Sequence, residues 1–274
     1  DANNLTAFGT DGFTVGSATN VNGASGTYVA WNWKAGTSFS NDASATGVGT
    51  IDSTGSINTT AGFSIISYTG TGSAGSIAHG LGVKPDWILS KDRTSSGDWN
   101  VYHDSFAAQE RIKLNSTGAK NTNSSIYASL PTSSVVNVGT GGNINTSGNS
   151  HIFYCFAEKK GYSKFGSYTG NGNADGPFIY LGFKPKYFLL KNISATQNWY
   201  VFDTARDTIN PSNSALQVSG NSAQETGYPM DFLSNGFKIR HSDGAWNGSG
   251  NTFIYMAFAE HPFVSSEGIP VTAR

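Results

Sequence analysis

Apolar residues in this chain come in short unbroken runs separated by long polar, glycine-rich stretches. The clearest run is His151-Ile-Phe-Tyr-Cys-Phe-Ala-Glu158. A near copy, Thr252-Phe-Ile-Tyr-Met-Ala-Phe-Ala-Glu260, stands towards the C-terminus, and a third version, Thr27-Tyr-Val-Ala-Trp-Asn-Trp33, towards the N-terminus. Aromatic and β-branched types fill each run with almost no polar break, which predicts a strand buried on both faces.

The runs belong to a longer repeat. Ser67-Tyr-Thr-Gly70, Gly80-Leu-Gly-Val-Lys-Pro85, Trp87-Ile-Leu-Ser-Lys91 and Trp99-Asn-Val-Tyr102 recur one hundred positions later as Ser167-Tyr-Thr-Gly170, Leu181-Gly-Phe-Lys-Pro185, Tyr187-Phe-Leu-Leu-Lys191 and Trp199-Tyr-Val-Phe202. In the Gly-x-Lys-Pro block the proline fixes φ and keeps the preceding lysine out of helical geometry, so an extended strand follows. The dipeptides Asp11-Gly12 and Asn235-Gly236 signal hairpin turns. Units of about 100 residues exceed solenoid and propeller blades, which run at ~20–50, and suit β-sandwiches of about seven strands.

These patterns predict an all-β protein of two tandem antiparallel β-sandwich-like domains, 62–161 and 162–274, preceded by a half repeat and linker over 1–61. Within that first segment, 37–61 reads as linker, being rich in Ser, Thr, Gly and Ala with Phe39 its one aromatic. The half repeat either packs as a stray hairpin and strand or joins the 62–102 segment in a permuted domain. The stretches 105–114 and 205–216 are expected to be irregular, Ser134–Val138 and Phe237–Arg240 to be weak strands, and the tail 264–274, which has no periodicity, to run over the surface.

Composition narrows the function classes. Gly counts 34 of 274 residues and charged residues 13%, while 13% aromatics supply enough apolar surface to offset the entropy of ordering. With 17 basic against 18 acidic residues spread thinly, nothing steers a polyphosphate, so nucleic acid is not an expected partner. No run reaches the ~18 apolar residues of a membrane helix, and no membrane insertion is expected. Cys155 is the only cysteine and sits in a core run, where it reads as a small buried hydrophobe. The chain opens on Asp1 rather than Met, as expected for a piece of something longer.

Candidate chemistry is sparse. A catalytic site needs convergent carboxylates or a nucleophile beside its base. Glu158 and Glu260 occupy matching places, but Trp33 stands at that place in the third copy, and the reading is a solvated strand end. His103 followed by Asp104, with Asp203 one hundred positions after His103, lacks a close second ligand for a metal. No catalytic residue, metal ligand or cofactor is expected. Ligand binding has better candidates: Trp246, Asn247 and Asp243 in the loop Asp243-Gly-Ala-Trp-Asn-Gly-Ser249, and Trp99 and Trp199 after polar turns. An aromatic face flanked by Asn and Asp can stack on a sugar ring and bond its hydroxyls. A tryptophan repeated at one position, however, reads first as core.

Taken together, Asp11-Gly-Phe-Thr-Val15, Tyr28-Val-Ala-Trp-Asn-Trp-Lys-Ala-Gly36, Phe165-Gly-Ser-Tyr-Thr-Gly-Asn-Gly172, Leu181-Gly-Phe-Lys-Pro185, Asp231-Phe-Leu-Ser-Asn-Gly-Phe237 and Ile254-Tyr-Met-Ala-Phe-Ala-Glu-His-Pro-Phe263 resemble a family. It is the repetitive uncharacterised domain of virion structural and tail-fibre-like proteins of marine tailed bacteriophages. The resemblance implies a non-enzymatic component of the virion surface, in a tail fibre or host-recognition apparatus. It further implies a homotrimer as in other fibre-like proteins, with other virion proteins and host surface glycan as partners. A lectin-like carbohydrate-binding module, a capsid decoration protein and, last, a glycan hydrolase are the alternatives.

Overall fold

The computed structural model describes residues 3–34 and 36–262, and the chain divides into two compact units, 1–34 and 35–274. The tail 264–274 lies outside the described residues.

In the first unit, β1 (Leu5–Phe8) pairs antiparallel with β2 (Phe13–Val15), with Phe8 opposite Phe13. The expected turn lies between them, closed by Gly9 N–H donating to the Gly12 carbonyl at 2.7 Å. One helical turn, α1 (Thr19–Asn22), follows. The strand expected at 27–33 does not form: the segment is not extended into a strand and joins no sheet among the described residues. The local reason is Tyr28, whose hydroxyl accepts from Gly23 N–H at 2.6 Å and donates to the Thr19 carbonyl at 2.7 Å, drawing the start of the segment back onto α1. Burial over 29–33 still alternates, with Val29, Trp31 and Trp33 half-buried.

The second unit opens where a linker was expected. Residues 37–58 instead form β3 (Thr37–Asn41), a helical turn α2 (Ala43–Thr46) and β4 (Ser53–Asn58). Thr suits strands, and Asp42 caps α2 by accepting from Ala45 N–H. Gly47 then ends the turn at φ +68°, which a side chain would strain. Next come β5 (Phe63–Thr69), β6 (Gly75–Ala78), β7 (Trp87–Asp92), β8 (Asn100–His103), β9 (Glu110–Lys113), β10 (Asn121–Thr122), β11 (Val135–Val138), the turn α3 (Gly142–Asn145) and β12 (Ser150–Phe156). Eight of these strands make one sheet, in the order β10-β9-β8-β7-β12-β5-β4-β3, while β11 pairs separately with β6. The strands β5 and β7 of the 62–102 segment both pair with β12, the run at 151–158.

The remainder is β13 (Ser163–Thr169), β14 (Phe178–Tyr180), β15 (Pro185–Asn192), β16 (Trp199–Asp203), β17 (Ser212–Gln217), β18 (Glu225–Leu233), β19 (Gly236–Ile239), the turn α4 (Gly244–Asn247) and β20 (Thr252–Ala259). They form a second eight-stranded antiparallel sheet, β13-β20-β15-β16-β17-β18-β19-β14. Its pairings repeat those of the first half: β20 lies between β13 and β15 as β12 lies between β5 and β7. The stretches expected to be irregular supply β9 and β17, short strands completed by the neighbours β8 and β16. At Asn235-Gly236 the turn residues are Ser234 and Asn235; Gly236 already pairs with Leu233. Its glycine answers a close approach, since a Cβ there would fall 2.1 Å from the Ile179 carbonyl oxygen.

Inside the second half, Phe188, Phe202, Phe253 and Tyr255 of the main strands pack on Phe232, Phe237 and Ile239 of β18 and β19. The opposite face of the same sheet meets the first sheet. Trp87 is edge-on to Trp199 at 5.9 Å and near Phe165 at 6.4 Å, and Phe156 contacts Phe165 and Phe258, each at 6.0 Å. Strand β20 is therefore buried on both faces, as its run predicts. Cys155 is buried in β12, and desolvation pushes its thiol up to about 12.

Two outcomes are expected. Trp199 is fully buried and its indole N–H donates to the Lys113 carbonyl at 2.8 Å, so Trp199→Ala should cost about 3–5 kcal/mol in denaturant unfolding, and half-buried Trp99→Ala less than half as much. Stability should also fall on acidification. Burial lowers the pKa of His103 to about 4 and depresses those of His79 and His151. The unfolded histidine value is about 6.5, so below it the unfolded chain takes up protons the folded chain refuses, and stability drops between about pH 6.5 and 4. His103→Asn should remove on the order of 3 kcal/mol of that drop in melts followed across pH; an unchanged slope would show His103 to be uninvolved.

Candidate functional site

The five residues nominated from sequence do not come together as a ligand site. Trp246 is buried in α4 against Tyr200 (4.0 Å), Tyr228 (4.7 Å) and Phe202 (5.2 Å), so the loop that was to present it folds it into the core instead. The physical reason is that the loop winds into a helical turn, capped by Asp243 Oδ1 accepting from Ala245 N–H at 2.7 Å. Asp243 is exposed but serves as this cap. Trp199 is buried between the sheets, and Trp99 is half-buried beside Tyr154 at 6.2 Å.

Asn247 is a structural bracket. Its Nδ2 donates to the carbonyls of Asn173 (2.7 Å) and His241 (3.0 Å) and to Asn171 Oδ1 (2.8 Å), while its Oδ1 accepts from Asn171 N–H at 2.8 Å. Asn145 does the same in the first half, donating to the Ser73 and Gly139 carbonyls at 2.6 and 2.9 Å and accepting from Thr71 N–H at 2.8 Å. Asn22 in the first unit keeps only the inner part, donating to the Gly16 carbonyl at 2.9 Å. In all three the carbonyl lies six residues back, a spacing that superposing the three copies of this segment would have revealed.

Other repeated polar residues also hold loops. Lys191 is buried with its pKa lowered to about 8 by desolvation, and it donates to the carbonyls of Thr117 (2.9 Å) and Gln197. Lys91 donates to Gly97 O at 2.9 Å. Asp92 and Asn192 each accept two backbone N–H groups from the turn that follows. Asp203 accepts from Ala205 and Arg206 N–H and pairs with the Arg206 guanidinium at 2.6 Å, whereas His103 faces Ser105. Glu260 pairs with Lys184 at 2.9 Å, which contributes to holding its carboxyl below the usual range despite partial burial. Among the described residues no cluster of three His, Cys, Asp or Glu side chains is placed to hold a metal. No helix among them is long and apolar enough to cross a membrane.

A cleft among the described residues is one that sequence reasoning missed. It measures about 310 Å³ and lies where the segment leaving β12 turns into β13, against the end of β14. Glu158, Lys160, Lys164 and Tyr180 line it, with the backbone of Gly161 and Gly182. Glu158 and Lys164 form a long, part-exposed pair at 3.5 Å. Tyr180 is 59% exposed, and Phe178, two residues earlier on the same strand face, 45%. Such a cleft can offer an aromatic surface, ammonium groups and a carboxylate to a polar ligand.

A family described as a domain of unknown function, DUF7483, matches residues 1–262, and the chain belongs to that family. No curated protein and no solved structure matches the chain.

The scaffold roles predict a graded series in chemical denaturation. Trp246→Ala should cost about 3–5 kcal/mol, Asn247→Ala about 2–3 and Asp243→Ala about 1. A Trp246→Ala protein as stable as the parent would contradict the core placement.

Proposed function

We propose that this member of the family is a non-enzymatic structural protein of a tailed-phage virion surface, working in a tail fibre or host-adhesion apparatus. The observation that carries the reading is the use made of the polar residues repeated between the two halves: Asn145 and Asn247, Lys91 and Lys191, Asp92 and Asn192 are all engaged in fixing loops. A chain whose repeated polar side chains hold loops onto broad sheets has the chemistry of a rigid building block. The resemblance of its sequence blocks to tail-fibre-like proteins gives that block a setting. Assembly as a homotrimer beside other virion proteins belongs to the same proposal, and a capsid decoration protein would use the same scaffold.

A second reading, carbohydrate binding in the service of adhesion, is favoured by the exposed Tyr180 and Phe178 beside the lysine-lined cleft. Glycan hydrolysis fits less well, because Glu158 and Glu260, the matching carboxylates, each face lysines.

Light scattering on the purified chain should give a mass near three times 28.9 kDa. Added in excess, the chain should compete with phage for adsorption to host cells and release no reducing ends from host polysaccharide. A monomer that leaves adsorption untouched would sink the adhesion reading.

A further inference from the structure

The two halves differ at one place in a way the fold does not require. In the first half, β4 pairs along the outer edge of β5, and β3 along β4. This hairpin closes over the start of the Gly-Leu-Gly-Val-Lys-Pro block: a Cβ on Gly80 would lie 2.9 Å from both Ile57 Cγ2 and Phe39 Cε2, and Ser53 Oγ donates to the Ala78 carbonyl at 3.1 Å. Ala78 is consequently only 3% exposed. In the second half β13 ends the sheet, and among the described residues no hairpin covers it. One hundred positions after Ala78 and Gly80 stand Phe178 and Tyr180, the small covered residues replaced by large exposed ones.

We propose that this uncovered surface is a binding site for a carboxylate-bearing saccharide, seated in the cleft with a sugar ring against Tyr180 and its carboxylate at Lys160 and Lys164; the proposal rests on the adhesion reading above. Two rings left in water, side by side on one strand face, keep apolar area exposed that the core does not use. Tyr180 and Phe178 lie about 7 Å apart along the strand, a spacing that lets neighbouring sugars of a chain each meet a ring. Lys160 makes no ion pair among the described residues, and the long, part-exposed pair of Lys164 with Glu158 is weak, so both ammonium groups can turn to an anion. Glu158 is left to accept from hydroxyls.

The shape of the site favours glycan over polypeptide. The cleft, at about 310 Å³, stands at the lower end of the range for small-ligand pockets.

The test titrates the full chain calorimetrically with short oligomers of galacturonate, guluronate and glucuronate, and with neutral galactose oligomers. At least one uronate should bind more tightly than the neutral sugar, and more weakly at high salt. Tyr180→Gly and Phe178→Ala carry the residues found one hundred positions earlier and should each lower the melting temperature by only a few degrees, leaving the chain folded. Tyr180→Gly should weaken binding about tenfold. Lys160→Gln should abolish the preference for the acid. If no sugar binds, or if binding survives Tyr180→Gly unchanged, the site is overturned while adhesion at another surface stands. Attachment to host cells that is lost to protease but not to periodate would overturn it in favour of a protein receptor. Failure of the wild-type chain to compete for adsorption removes the adhesion reading itself, whatever the titration gives.

Discussion

The two large sheets are held together by a small set of aromatic rings, and most of the second unit depends on that contact. Trp87, Phe156, Phe165, Trp199 and Phe258 interlock between the sheets at centroid distances of 5.9 to 6.4 Å. Each belongs to a strand that carries a second layer of rings on its other side or lies beside one that does, so the contact braces both halves at once. It also brings the loop at 113–120 against the turn at 193–199, where Lys120 N–H, Gln197 N–H, the Lys191 ammonium and the Trp199 indole all find carbonyl partners across the junction. Buried polar groups this close to a dry interface are tolerated because they are bonded. Residues 35–274 accordingly form one compact unit although their sequence reads as a repeat.

The polar residues follow a complementary logic. A sheet protein this rich in glycine and serine has long connections with many backbone groups to satisfy, and the recurring Asn, Asp and Lys side chains satisfy them. Asn145 and Asn247 each tie a helical turn to the loop after the Ser-Tyr-Thr-Gly strand, and the tyrosine of that strand donates its hydroxyl to the same turn, at Ile144 and Trp246. In the first unit that strand type is absent from the described residues, and Tyr28 bonds the turn from the other side. One cap requirement met by two different tyrosines accounts for why Thr27–Trp33 departs from its two copies.

The proposed binding site sits where the two halves diverge. Positions that recur are engaged in holding the fold, whereas the exposed rings of Phe178 and Tyr180, with the lysines of the adjoining cleft, appear only in the second half. In the first half the hairpin β3–β4 lies against β5, while among the described residues β13 ends the second sheet uncovered.

The alternating and continuous apolar runs by themselves determined the all-β class and the strands at Trp87–Asp92, Ser150–Phe156, Pro185–Asn192 and Thr252–Ala259, since burial on both faces leaves no other pattern. The Gly-x-Lys-Pro turns were legible for the same local reason. Three things were not. Residues 37–58 carry so few apolar side chains that only pairing with β5 reveals them as strands. Thr27–Trp33 has the composition of a core strand but joins no sheet among the described residues, and a strand is defined by ladder hydrogen bonds its own sequence does not contain. The fate of Trp246, which the sequence nominated, and of Tyr180, which it did not, was undecidable for a related reason: both stand near glycines in polar surroundings, and only the packing of β18 and β19 over one, and the missing hairpin over the other, made the first core and the second surface.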